Sequence, residues 1–123
     1  MMALFEEPDP DTGEFDIQVS RTDGTATVLT ILGDVDVAAA MRLSSAISSH
    51  TAAGPPLLVV DLSEVELLSS AGIAVLLGST KRATPTTSFR IVATSDVVLQ
   101  PIDVLGLKSI LPIYPSVDEA LAA

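Results

Sequence analysis

Apolar and polar positions change rhythm several times along this chain, and each change marks an element. From Phe15 to Val19 they alternate, and after the turn-prone Thr22-Asp23-Gly24 a second apolar-rich stretch runs from Ala26 to Ile31, the pattern of a β-hairpin. Gly33-Asp34-Val35-Asp36 breaks that strand. From Ala38 to Ser48 the period becomes helical, with Ala39, Leu43, Ala46 and Ile47 on one face, until Gly54-Pro55-Pro56 ends the unit. Leu57 to Asp61, an unbroken apolar run closed by a carboxylate, predicts a buried strand. Beyond a junction loop, Ile73, Leu76 and Leu77 recur at helical spacing in a helix from about Ala71 to Ala83, closed by Thr84-Pro85-Thr86-Thr87. Phe89 to Ala93 is apolar and β-branched enough for another strand. Ser95-Asp96 suits an N-cap, yet Pro101 falls well inside the following apolar segment, so that helix either starts late, near Pro101, or is kinked. Gly106 fits its stop. Ile110 to Tyr114 then predicts a short strand, and Ser116-Val117-Asp118-Glu119 a capping box opening a final helix that includes Leu121.

Two strands followed by alternating helices and strands predict an α/β fold, a mixed sheet of about five strands with parallel crossovers and four helices packed mainly on one face. Residues 1–12 hold Pro8, Pro10 and several carboxylates, which predicts a flexible acidic segment; residues 13–123 are expected to form a single domain.

The chemistry of interest lies between Asp61 and Leu77. Ser69, Ser70, Ala71 and Gly72 fall at a strand-to-helix junction, where the first backbone N–H groups lack helical partners and the helix dipole is positive. Two readings fit. Serine at such a turn commonly caps the helix, its oxygen accepting from an early N–H. Two consecutive hydroxyls beside small residues are also accessible to another protein's active site, and a phosphate added there is electrostatically favoured. Gly72 reads as a close approach of backbone to a neighbouring element. Asp36 and Asp61 end predicted strands that could converge near the serine loop and add negative charge to that edge. Alternatively, Asp36 caps the first helix, and Asp61 binds locally to Ser63 through side-chain to backbone hydrogen bonds.

Composition narrows the function classes. Hydrophobic residues make up 48% of the 123 but aromatic residues only 3%, so the core is aliphatic and base stacking is poorly served. A net charge of −10 argues against direct nucleic-acid binding and for a basic protein partner or solubility alone. There is no cysteine, hence no disulfide, no thiolate catalysis and no thiolate zinc site. His50, the single histidine, reads as a solvated helix end and leaves little else for a metal. No signal peptide or membrane-spanning run is legible, so no membrane insertion is expected and the cytoplasm is the expected compartment. The residues before Ser70 are not those of a serine-hydrolase elbow, and Gly78-Ser79-Thr80-Lys81 has nucleotide-loop residue types in the wrong order inside a helix. Lys81 and Arg82 instead suit a helix C-terminus. No catalytic constellation emerges, and the chain is expected not to be an enzyme.

Asp61-Leu62-Ser63 followed by Leu68-Ser69-Ser70-Ala71-Gly72-Ile73 resembles the signature of STAS domains of the anti-sigma factor antagonist (anti-anti-sigma factor) family, with Gly33-Asp34-Val35-Asp36 and Gly106-Leu107 as supporting pieces. The resemblance covers about residue 13 to the C-terminus. It implies that Ser70 is the serine phosphorylated by an anti-sigma factor with kinase activity, with Ser69 the alternative hydroxyl. It further implies that Asp36, Ser69, Ser70, Ala71, Gly72 and Ile73 form the partner-binding surface. Ser69 stands where the family usually has aspartate, and Ala71 where it often has serine or threonine. The implied function is partner switching: the unphosphorylated domain binds the kinase and frees a sigma factor, phosphorylation releases the kinase, and a phosphatase resets the cycle. ATP and Mg2+ would belong to the kinase, with no cofactor on this chain. Two other classes remain open, a constitutive STAS interaction module such as the soluble subunit of a transport complex, and a small-molecule or nucleotide sensor with a pocket beside Asp36 and Ser70.

Overall fold

The structure is a computed structural model that describes residues 14–22 and 25–123; the expected acidic segment and the centre of the first turn lie outside the described residues. The elements run β1 (Asp16–Thr22), β2 (Ala26–Val35), α1 (Val37–Ala52), β3 (Leu57–Leu68), α2 (Ser70–Lys81), β4 (Ser88–Val92), α3 (Asp96–Val104), β5 (Ile113–Tyr114) and α4 (Val117–Ala122). The sheet keeps chain order, β1-β2-β3-β4-β5. The β1–β2 hairpin is antiparallel, and each later strand joins its predecessor in parallel after one crossover helix. This is the α/β architecture that the alternation predicts.

Period-two alternation divides the strand side chains between two faces. Leu29, Ile31, Leu58, Val60, Phe89 and Ile91 enter one core with Leu43 and Ile47 of α1, Ile73 and Leu76 of α2, and Val98 and Ile102 of α3. Ala26, Val28, Leu57, Val59 and Val92 line the other face, which α4 covers through Ala120, Val117 and Leu121. Three helices therefore share one face and the fourth closes the other. Each fully buried Leu, Ile or Val contributes about 1.5–3 kcal/mol of transfer free energy, and that aliphatic inventory stands in for the missing aromatics.

The largest departure from the sequence pattern is β3. Expected to stop at Asp61, it continues to Leu68. Two register shifts explain why the period hides it: Thr30 pairs with Asp61 and Leu32 with Glu64, then Gly33 pairs with Val65 and Asp34 with Leu67. Each extra residue on β3 reverses the alternation, so Leu62, Val65 and Leu68 all reach the same core at a spacing of three. Asp61 fixes the first bulge, its Oδ1 accepting from Ser63 N at 3.0 Å and from Ser63 Oγ at 2.7 Å. Gly33, at φ 87°, occupies the second in a conformation that L side chains rarely adopt.

Smaller differences have local causes. α3 begins at Asp96 and runs through Pro101, and Ser95 at its N-cap makes no side-chain capping bond. The strand expected from Ile110 shrinks to Ile113–Tyr114, because Pro112 has no N–H to donate and serves only as an acceptor, its carbonyl taking Ile91 N at 2.9 Å. Ser116 does cap α4, accepting from Glu119 N at 3.1 Å.

Candidate functional site

β4 pairs with β3 only from Leu57 to Asp61, so the remainder of β3 projects with β2 as its one hydrogen-bonded neighbour. The tip of that ribbon carries the site. Val35 pairs with Leu68, and Ser69 N donates to Val35 O at 2.9 Å, tying the end of β3 to the end of β2. Two helices therefore start side by side at the carboxyl edge of parallel strands, the usual place for function in such sheets.

Both starts are capped. Asp36 Oδ1 accepts from Ala39 N at 2.8 Å at the head of α1, and Ser69 Oγ accepts from Gly72 N at 3.1 Å at the head of α2. The two serines thereby separate in role. Ser69 is half-buried and its oxygen is engaged as the cap; Ser70, the first residue of α2, is exposed. Aspartate and serine are comparable N-caps, so Ser69 keeps the geometry that the family's usual aspartate would supply while removing its charge. Ala71 is half-buried and packs against the core, and Ile73 is buried within it.

Gly72 has a steric role. A Cβ there would lie 2.8 Å from Leu68 Cδ1 and 2.9 Å from Val35 Cγ1. The first turn of α2 is thus pressed onto the ribbon tip, and the serine loop follows the sheet as one unit.

Asp36 joins Ser69 and Ser70 at this edge, but Asp61 does not. It is buried in mid-strand at the bulge, about 20 Å back along β3 by the rise of an extended chain. The reading of Asp61 and Ser63 as a local hydrogen-bonded pair is the one realised, within a strand rather than a turn. Other carboxylates lie along the projecting ribbon: Asp16 and Glu64 both stand opposite Leu32, and Asp34 pairs with Leu67 next to Glu66, with Asp36 just beyond the end of β2. Sequence reasoning missed the place of Glu64 and Glu66 there, because it left them in a loop. Arg42 lies over the Phe15 ring, 4.9 Å from its centroid.

Exposed apolar side chains occur on α1 and α3. Val37 and Met41 project from the first turns of α1, and Val104 and Leu105 from the end of α3. An open groove runs between α2 and α3, lined by Ser70, Ile73, Gln100, Pro101, Val104 and Leu105. Among the described residues no ionisable side chain lines it. No group of three or more His, Cys, Asp or Glu that could hold a metal occurs among the described residues, and no described helix is long and apolar enough to cross a membrane.

Comparison with known proteins agrees with this arrangement. Residues 16–120 match the STAS domain family. The anti-sigma-F factor antagonist RsfB of Mycobacterium tuberculosis is 33% identical over 105 residues, 85% of each chain. The crystal structure of an anti-sigma factor antagonist from Mycobacterium paratuberculosis superposes with a TM-score of 0.82 at 34% identity, covering 89% of this chain and 93% of that one. The anti-sigma factor antagonist SpoIIAA in its unphosphorylated form shares the fold, with a TM-score of 0.69 at 17% identity over 86% of this chain and 93% of its own. With its ribbon-borne serine loop, its capped helix pair and these relatives, the chain belongs to the STAS domain family, in its anti-sigma factor antagonist group.

Proposed function

We propose that this protein is an anti-sigma factor antagonist that binds an anti-sigma factor with serine kinase activity while Ser70 is unmodified, and releases it once Ser70 carries phosphate. The observation that carries the reading is the division of labour between the serines: Ser69 is held as the cap of α2, whereas the Ser70 hydroxyl is exposed beside an uncharged groove. The relatives named as antagonists support the choice of partner.

The unmodified edge offers two kinds of contact. Val37, Met41, Val104 and Leu105 present apolar area for burial, and Asp36 with the carboxylates of the ribbon complements a basic partner surface and speeds encounter. Phosphorylation adds about −1.5 to −2 charges. In the free domain the dianion is well placed, one residue into a helix whose positive end faces it. In the complex it must be desolvated against an apolar surface and beside carboxylates that are already repulsive, so the modification favours the free state. A difference of about 3 kcal/mol between the two situations shifts binding roughly a hundredfold. In this scheme the chain is substrate and inhibitor, ATP and Mg2+ belong to the kinase, and a phosphatase restores the binding form.

The test is to incubate the protein with the host's anti-sigma kinases and Mg-ATP, then measure intact mass and map the site. The expected result is a single phosphate on Ser70 that is lost in Ser70→Ala, with the phosphorylated form released from the kinase. Phosphate on Ser69 would overturn the assignment. Tight binding without phosphorylation by any kinase would replace the switch with a constitutive interaction module.

A further inference from the structure

The opposite edge of the sheet, where the parallel strands begin, holds a cavity of about 270 Å³ between the last turns of α1 and α2. Its floor is buried and apolar, made by Ile47, Leu58 and Phe89; Ser48, Thr51 and Arg82 stand at its rim. Two further hydroxyls in the lining are already engaged, Ser79 Oγ donating to Val75 O at 2.7 Å and Thr87 Oγ1 to Pro55 O at 2.6 Å. The donors left for a ligand are therefore the guanidinium and the two rim hydroxyls.

The charge around this cavity is unusual for the chain. Sixteen Asp and Glu residues oppose six Lys and Arg, yet among the described residues no carboxylate lines the cavity, and Arg82 is the one formal charge in it. Arg21 and Lys81 lie at the same end of the sheet by register and element order. The guanidinium is seated on Gly78: a Cβ there would meet Arg82 Nη1 at 3.2 Å and Nη2 at 3.3 Å. The missing side chain at Gly78 lets Arg82 lie along α2 at the cavity mouth.

We propose that this cavity is a binding site for a medium-chain aliphatic carboxylate, its chain on Ile47, Leu58 and Phe89 and its head on Arg82. An apolar cavity of about 150 Å³ holds one benzene molecule, so the present one takes about ten non-hydrogen atoms, the size of octanoate. The class follows from the lining: an apolar floor selects a hydrocarbon tail, and a guanidinium with no described carboxylate in the same lining selects an anionic, planar, two-oxygen head. The carbonyl ends of α1 and α2 disfavour an anion placed on their axes, which confines the head to the guanidinium and makes Arg82 decisive for affinity.

Titration of the 15N-labelled 123-residue chain with sodium octanoate, kept below its micelle concentration, tests the site. Saturable shifts are expected at Ser48, Thr51, Ala83 and Phe89, with at least tenfold weaker binding in Arg82→Gln and none in Ala83→Trp, where the indole fills the mouth from an exposed position. Octylamine, with the same tail and the opposite charge, is expected not to saturate the site. Equal affinity in Arg82→Gln, octylamine binding as tight as octanoate, binding retained in Ala83→Trp, or shifts confined to the α2–α3 groove would each overturn the proposal. Both substituted positions are exposed; a native spectrum of each unliganded variant confirms that lost binding is not lost fold.

Discussion

The two ends of this sheet differ in what the helices bring to them. At the carboxyl end of the strands, helices begin, and their N–H groups are satisfied by short side chains, Asp36 on α1 and Ser69 on α2. There the side-chain caps fix the starts of α1 and α2, and Ser70 is left exposed beside them. At the amino end, helices finish, the surface bears Lys81 and Arg82, and a cavity opens between the last turns. A helix start suits a group that becomes an anion, because dipole and free N–H groups stabilise it. A helix end offers only carbonyls, so anion binding there depends on a side-chain cation. The same α2 thus runs from the exposed Ser70 at its start to the cavity beside Arg82 at its end.

Breaking the packing of the first end is expected to have the largest effect. Gly72→Val would drive side-chain atoms into Leu68 and Val35, and we expect a loss of about 3 kcal/mol or more by urea unfolding. At the other end Gly54, at φ 80° with nothing within 4 Å of an added Cβ, meets only backbone strain. Gly54→Ala is expected to cost about 1–2 kcal/mol. Equal losses in the two would mean that Gly72 is not a close-packing position.

Charge reversal at each end sharpens the contrast next. Ser70→Glu is expected to weaken anti-sigma factor binding by about a hundredfold, corresponding to about 3 kcal/mol, while leaving the unfolding midpoint unchanged or slightly raised by the dipole. Arg82→Glu, at the far end of the same helix, is expected to leave that affinity within about twofold, or about 0.4 kcal/mol. Calorimetry on both variants checks the pair, and comparable losses would move the partner footprint away from the serine edge.

The smallest expected effect concerns the cap. Ser69→Ala removes the acceptor of Gly72 N and is expected to cost about 1 kcal/mol, whereas Ser69→Asp keeps the acceptor and adds a favourable charge at the helix start, for a change between zero and about 0.5 kcal/mol of stabilisation. Thermal unfolding distinguishes them. A neutral Ser69→Ala would show that the cap contributes nothing and that the two serines are interchangeable.

Much of the fold was legible in the sequence because most elements bury one face at a regular period. The hairpin, the crossover helices and the order of strands follow from that alternation. β3 was half hidden, because two bulges turn its inward positions into Leu62, Val65 and Leu68, a spacing that belongs to neither strand nor helix. For the same reason one of the two readings placed Asp61 near the serine loop: if β3 had ended there, the junction would have followed at once. Its bonds to Ser63 instead set the bulge that carries the strand onward.

By itself the sequence determined the α/β order, the helix start at the paired serines and the family resemblance. These depend on local propensity, residue inventory and short motifs, all of which are linear. Only the tertiary structure decided which serine is engaged and which is exposed, that Gly72 is compressed between Val35 and Leu68, and that a cavity with Arg82 at its rim opens at the far end of α2. Those facts depend on strand register and helix placement, which bring together residues more than thirty positions apart, such as Val35 and Ser69, and no linear pattern encodes the bulges that set that register.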